Sequence, residues 1–358
     1  MAAGVPLLYG CRRANGQTQA VQKTGPGALR RRSVRIRGSI AVRSLLTALA
    51  IVAGSAVAAE AGYAEEDAAG SALSDVSPVL GTPVGPRTCG LRDGGCTRDY
   101  RYGSMVWSQR TGAEPVSGAI RSAWREHGAE SGALGYPVEA RTCREGTCIQ
   151  QFQRGTVTRS KSGDTTVRLD IDDPASTAVV VNKQRPLAPV SYVPGDLAGV
   201  DGQLLREAAA SSFALLKEAA ASEGVELAAV SGYRSYESQA QLYAGYSARY
   251  GQAAADTISA RPGHSEHQTG LAVDIAAPDG TCSLQACFED TAAGSWAAEN
   301  AHRFGFIVRY PEDASSITGY AYEPWHLRFV GADLALSMHE HPSGTLEEHL
   351  GLPSAEHY

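Results

Sequence analysis

Two short segments, Pro262 to Ile275 and Tyr322 to Val330, concentrate the side chains of this chain that could do chemistry. If Gly270 to Ile275 is a strand, alternation puts Leu271, Val273 and Ile275 on a core face and Gly270, Ala272 and Asp274 on the other. Two tiny residues beside that carboxylate would leave room for a metal and a substrate. In the second segment Trp325, Leu327 and Phe329 alternate toward one face, and His326 and Arg328 toward the other. His267, Asp274 and His326 then supply two imidazoles and one carboxylate, a donor set suited to one Zn2+ with the fourth position open to water. Zinc in such a site brings the water's pKa to about 7 and polarises a carbonyl. Glu323, three residues before His326, is placed to take the water's proton. His264 would displace Asp274 if it were a ligand, so it is expected beside the ligands or at the substrate's edge.

These groups need elements to hold them. Leu205, Ala209, Phe213, Leu216 and Ala220 recur at helical spacing between Leu204 and Ala221 and stop before Gly224, which suits a C-terminal cap. Leu227 to Val230 reads as a buried strand running into Ser231-Gly232-Tyr233-Arg234-Ser235. A helix follows, with Ser235 as N-cap and Glu237 in the first turn, where the helix dipole favours an acid. Arg234 and Gln239 thereby sit where polar groups can face a cleft. Trp296, Ala297, Ala301 and Phe304 form a core-facing helix before Gly305, and His339, His341, His349 and His357 are expected in solvent.

The N-terminal half has a different character. Leu80-Gly81-Thr82-Pro83-Val84 followed by Thr88-Cys89 recurs as Leu134-Gly135-Tyr136-Pro137-Val138 followed by Thr142-Cys143. Such a repeat unit buries its apolar face only against a neighbour or a partner. Apart from Cys11 the cysteines fall into close couples, Cys89 with Cys96, Cys143 with Cys148 and Cys282 with Cys287, which read as local disulfides of an oxidising compartment. Residues 1 to 58 hold nine basic side chains and no acid, and the uncharged run Ser44 to Ala59 behind them reads as a signal peptide, too short for a stable membrane anchor. The remaining 300 residues carry 23 basic against 38 acidic groups, which argues against nucleic acid as a partner.

His267-x-x-Gly270-x-Ala272-x-Asp274 with Glu323-Pro324-Trp325-His326 resembles the zinc site of VanY-like D-alanyl-D-alanine carboxypeptidases of the Hedgehog/DD-peptidase superfamily. The likeness extends to Val181-Asn182-Lys183, Ser231 to Ser235 and Gly305 to Pro311. The N-terminal repeats resemble the cell-wall repeat named for its Leu-Gly-Phe-Pro (LGFP) signature, with Thr82 and Tyr136 standing where that name has Phe. The resemblance implies an α+β fold, a small antiparallel sheet with flanking helices, preceded by a small repeat domain. It implies Glu323 and Arg234 in catalysis, and Arg234, Gln239, Ser265 and Trp325 against the substrate.

The expected order is an extension and signal peptide over 1–58, a flexible linker over 59–77, two repeats over 78–167, a linker over 168–178, the peptidase over 179–350 and a tail over 351–358. The implied activity is removal of a C-terminal D-alanine from peptidoglycan stem peptides by a secreted or wall-associated enzyme whose repeats bind cell-wall polymer. L,D-carboxypeptidase or D,D-dipeptidase activity at the same site is the nearest alternative. A non-catalytic envelope-binding protein with a structural zinc site is the more distant one; a structural site is closed by four protein ligands, whereas three ligands and Glu323 leave this one open.

Overall fold

The computed structural model describes Leu73 and residues 80–358, which fall within one compact unit. The expected signal peptide, Cys11 and, Leu73 aside, the 59–77 linker lie outside the described residues.

Each repeat becomes a four-stranded antiparallel meander. The first runs through β1 (Pro83–Cys89), β2 (Cys96–Tyr100), β3 (Gly103–Ser108) and β4 (Gly112–Ser117), and is followed by helix α1 (Gly118–Glu126). The second runs through β5 (Thr142–Arg144), β6 (Thr147–Phe152), β7 (Gly155–Arg159) and β8 (Thr165–Leu169). Cys89 and Cys96 are directly opposite residues of β1 and β2, as Cys143 and Cys148 are of β5 and β6, and both couples are disulfide-bonded. The two units close one core. Val106, Val116, Ile120 and Trp124 of the first pack with Leu134, Tyr136, Phe152 and Val157 around the second. Gln150, buried in β6, donates to Pro115 O and Glu139 O, both at 2.9 Å, stitching one sheet to the other.

The C-terminal region contributes a hairpin, β9 (Leu197–Val200) and β10 (Gln203–Arg206), then α2 (Glu207–Ser222), β11 (Ala228–Ser231), α3 (Tyr236–Tyr250) and α4 (Gln252–Ile258). After these come β12 (Ala272–Ala276), α5 (Ala292–Asn300), β13 (Phe306–Tyr310), α6 (Ser315–Thr318), β14 (Glu323–Phe329), α7 (Ala332–Glu340) and α8 (Leu346–His349). Its sheet is antiparallel in the order β11-β12-β14-β13. Leu271, Val273, Ile275, Leu327 and Phe329 face a core completed by Phe213, Leu216 and Ala220 of α2 and by Trp296 and Ala297 of α5.

Several expectations change. Helix α2 begins at Glu207, because Leu204 and Leu205 belong to β10. The Leu227–Val230 run does form a strand, β11, but it is not buried: it lies at the sheet edge and Val230 is exposed. The hairpin covers that edge with side chains. Asp201 accepts from Ala229 N (2.7 Å), and Gln203 donates to Val230 O (3.2 Å) while accepting from Gly232 N (3.2 Å). The expected linker 168–178 is packed structure, with Ile171 buried and Val180 N bonded to its carbonyl at 3.0 Å. The expected tail is also tied down: Ala355 N donates to Ile317 O (2.7 Å) and Arg261 N to the Tyr358 hydroxyl (2.7 Å).

The two regions meet over Ala133 and Ile171 on one side and Ile307, Val330, Leu334, Leu346 and Leu350 on the other. The turn inside the Cys89–Cys96 loop reaches across: Arg92 donates to His349 O, and Asp93 accepts from the Ser337 hydroxyl at 2.6 Å. The Tyr136 hydroxyl, where the repeat's name has Phe, holds Arg92 O from behind. His349 therefore leaves solvent, contrary to expectation, and bonds Ser337 and Ser343 through its two ring nitrogens. Burial, then the nearby Arg92 and Arg154 guanidiniums, push its pKa down to about 4.

Candidate functional site

The site assembles on the two central strands of the β11–β14 sheet and the tight turn that precedes them. Glu266–Thr269 forms a single 3-10 turn, closed by Thr269 Oγ1 donating to Glu266 O at 2.6 Å and released at Gly270, whose φ of 69° suits glycine. A Cβ at Gly270 would stand 3.0 Å from Arg206 Cγ and from Leu197 Cδ2. Its smallness thus serves the turn and the hairpin packed on it, and not room for a substrate.

That turn carries His267, whose Nδ1 lies 2.8 Å from Gly232 O and whose Nε2 faces Asp274 Oδ2 at 3.2 Å. On the sheet, register places Asp274 of β12 directly opposite His326 of β14, and His326 Nδ1 lies 2.9 Å from Asp274 Oδ1. The three ligand atoms lie within 4.8 Å of one another and all three residues are buried. Two imidazole nitrogens and a carboxylate converging in this way fit a zinc ion.

Glu323 opens β14, and its Oε2 is 3.8 Å from His326 Nδ1. Burial pushes its carboxyl up to about 7 against the pull of His326. Asp274, by contrast, is held well below the usual carboxylate range: burial opposes ionisation, but His267 and His326 outweigh it.

Arg234 follows β11 in a loop anchored by its own N–H to His267 O at 3.1 Å. Its guanidinium donates to Gln239 Oε1 and Ser231 Oγ, both at 2.9 Å. Ser235 caps α3 by accepting from Ser238 N, which brings Gln239 round to the site. Gln239 is buried, and its amide nitrogen is bonded to Ser259 Oγ (3.1 Å) and Ala260 O (2.7 Å). Both ends of that amide are engaged, so Gln239 aims Arg234 in addition to lining the space. A cavity of about 290 Å³ joins Arg234, Gln239, Ser265 and Trp325 to His267, Asp274, Glu323 and His326, with Tyr310 and Leu284 on its walls. Leu284 is carried by the loop that the Cys282–Cys287 disulfide closes. His264 turns elsewhere: its Nδ1 lies 2.9 Å from Asn182 O, and its ring meets Tyr358 edge to face.

Sequence reasoning gave no role to Glu266 or Arg309, and put Arg328 on the face of His326 without a partner. Glu266 sits between Ser265 and His267 with its side chain buried, its Oε2 3.3 Å from His326 Nε2. Burial opposes its charge, but Arg328 and Arg309 hold the carboxyl well below its ordinary range. The strand alternation that sends Arg328 to the same face as His326 was the available signal.

The family described as VanY D-alanyl-D-alanine carboxypeptidase matches residues 202–332, and the LGFP repeat family matches residues 80–132. A putative carboxypeptidase, YodJ, of Bacillus subtilis (strain 168) is 41% identical over 189 residues, spanning 50% of this chain and 68% of that protein. A D-alanyl-D-alanine carboxypeptidase of Enterococcus faecalis is 37% identical over 188 residues, spanning 50% and 67%. Among solved structures, the LdcB LD-carboxypeptidase is 40% identical, covering 51% of this chain and 89% of that one, with a TM-score of 0.48. With two such relatives matched over two thirds of their length, this chain belongs to the VanY family of D-alanyl-D-alanine carboxypeptidases and carries an LGFP repeat on the N-terminal side of its peptidase region.

Proposed function

We propose that this protein is an extracytoplasmic zinc carboxypeptidase that removes the C-terminal D-amino acid from peptidoglycan stem peptides. The observation that carries the reading is the convergence of His267, Asp274 and His326, with the Glu323 carboxyl 3.8 Å from His326 Nδ1 on the wall of the same cavity. His267 Nε2, Asp274 and His326 Nδ1 would hold the zinc, which when bound supplies an acidified water and a polarised scissile carbonyl. Glu323 accepts the proton of the attacking water and returns it to the leaving amino group. Arg234, its fork fixed by Ser231 and Gln239, binds the substrate's terminal carboxylate or its carbonyl. Ser265 and Trp325 border the same space. Disulfides support export to an oxidising compartment, and among the described residues no helix is long and apolar enough to cross a membrane. The repeats, by their family, serve retention on cell-wall polymer.

The test offers the zinc-loaded chain stem peptides ending in D-Ala-D-Ala and in a single D-Ala, with products weighed by mass spectrometry. Release of one D-alanine from the first is expected. Glu323→Gln should lower turnover by a factor of about 10² to 10⁴ with zinc retained, the range for loss of a general base. Loss of zinc in that variant would make Glu323 a ligand, and near-normal turnover would move the base elsewhere.

A further inference from the structure

We infer that Glu266 is a positioning residue for His326: its carboxylate accepts a hydrogen bond from His326 Nε2–H and so presents Nδ1 to the metal. The inference rests on the zinc reading above and adds a residue that this reading does not use.

The division of labour between the two carboxylate oxygens carries the argument. Oε1 takes both guanidiniums, from Arg309 Nε at 2.8 Å and Arg328 Nη1 at 2.7 Å. Oε2 is left to face the imidazole, 3.3 Å from His326 Nε2. The arginines have other partners. Arg309 is also bound through both Nη atoms to Glu347, at 2.9 and 2.6 Å, and Arg328 reaches the carbonyls of Phe329, Thr177 and Val179. Each guanidinium is thus matched by one carboxylate, and this buried charge set is neutral without help from the histidine. Nothing in that balance requires the second oxygen of Glu266 to point at a ring nitrogen.

Each ring nitrogen of His326 faces a carboxylate, Nδ1 that of Asp274 at 2.9 Å and Nε2 that of Glu266 at 3.3 Å. His326 Nδ1 lies on the side of Asp274, which in turn faces His267 Nε2, so Nδ1 is the nitrogen turned to the ligand cluster. An imidazole that gives Nδ1 to a metal keeps its proton on Nε2, where a carboxylate fixes the tautomer and the ring angle. His267 has the same arrangement with a weaker acceptor, its non-ligating nitrogen resting on the Gly232 carbonyl. The two ligands therefore differ: one is held by a neutral backbone oxygen, the other by a buried carboxylate braced from behind by two arginines.

Removing a buried charge can unfold a protein, so the deciding measurement is made on the unaltered chain. In 15N-histidine spectra the zinc-loaded protein should show His326 coordinated through Nδ1, with an Nε2 proton protected from solvent exchange, and that proton should be protected in the metal-free chain as well. Coordination through Nε2, or an Nε2 proton that exchanges freely, would overturn the inference. Glu266→Gln gives the second arm. Its amide is a weaker acceptor, and the zinc dissociation constant, read by competition with a chromogenic chelator, should rise about 10- to 100-fold. Wild-type zinc affinity in a folded Glu266→Gln protein would also overturn it. A chain that takes up no zinc would count against the reading of the site instead, and the metal-free spectrum would still decide whether Glu266 holds the ring.

Discussion

In each repeat sheet one outer strand lies largely in water: β5 is exposed throughout and β1 at most of its positions, and a disulfide ties each to its neighbour. In the β11–β14 sheet the central strands are buried on both faces, and β14 carries His326 and Arg328 inward. Among the described residues the repeats bury neutral polar groups such as Gln150 and Ser104 and add covalent ties where the apolar core is small. The peptidase region takes ionisable groups inside, where each must be matched by a partner or kept available for chemistry. The first arrangement specifies a shape, and the second specifies positions of a few atoms.

The largest test of this contrast removes one side of it. Deleting residues 59–170 takes Ala133, Arg92 and Asp93 away from α7 and α8, so Leu334, Leu346 and His349 become exposed. We expect a stability loss on the order of 4 kcal/mol, about 10 °C in Tm. An unchanged Tm in thermal unfolding would mean the regions merely touch.

Acid should loosen the same junction without any deletion. His349 has a folded pKa of about 4, below its ordinary 6.5, so its stabilising neutral form is fully present above pH 6.5 and lost as pH falls toward 4. Across that window the Tm of the wild type should drop by on the order of 5 °C more than that of His349→Gln. Parallel curves would assign the acid sensitivity elsewhere.

Smaller effects separate covalent from packed stability in the repeats. Replacing Cys89 and Cys96 together by serine should cost about 2 kcal/mol in denaturant unfolding while leaving kcat/KM for a small peptide within about twofold. A large loss of activity would show that the loop supports the site and not only the junction. Tyr136→Phe, which restores the residue in the repeat's name and removes the hydroxyl from Arg92 O, should cost about 1 kcal/mol. No measurable change would make that bond incidental.

Much of the peptidase region was legible because its signals are local. Alternation assigned Leu271, Val273 and Ile275 to the core, and the spacing of Ala209, Phe213, Leu216 and Ala220 marked the buried face of α2. Strand phase put Asp274 and His326 each on the face opposite the core, and register sets the two directly across from each other. What escaped was set by distant partners. Gly270 is small because Arg206 and Leu197 pack on it, and His349 is buried by a turn 257 positions away. Glu266 has no local signal of burial, because the arginines that match its charge, Arg309 and Arg328, lie 43 and 62 positions away. An apolar run could not announce that β11 would be an edge, because that depends on which strand arrives next to it.

That edge has a consequence of its own. A bare outer strand offers a row of free amides and carbonyls on which a strand from another molecule can build. Here Asp201 occupies the amide of Ala229, Gln203 occupies the carbonyl of Val230 and the amide of Gly232, and Lys217 holds Asp201 in place. Side chains from a hairpin thus fill the positions a further strand would need, without extending the ladder themselves. The sheet that carries the site is terminated chemically as well as sterically, which guards it against growth into aggregates on the side next to Arg234.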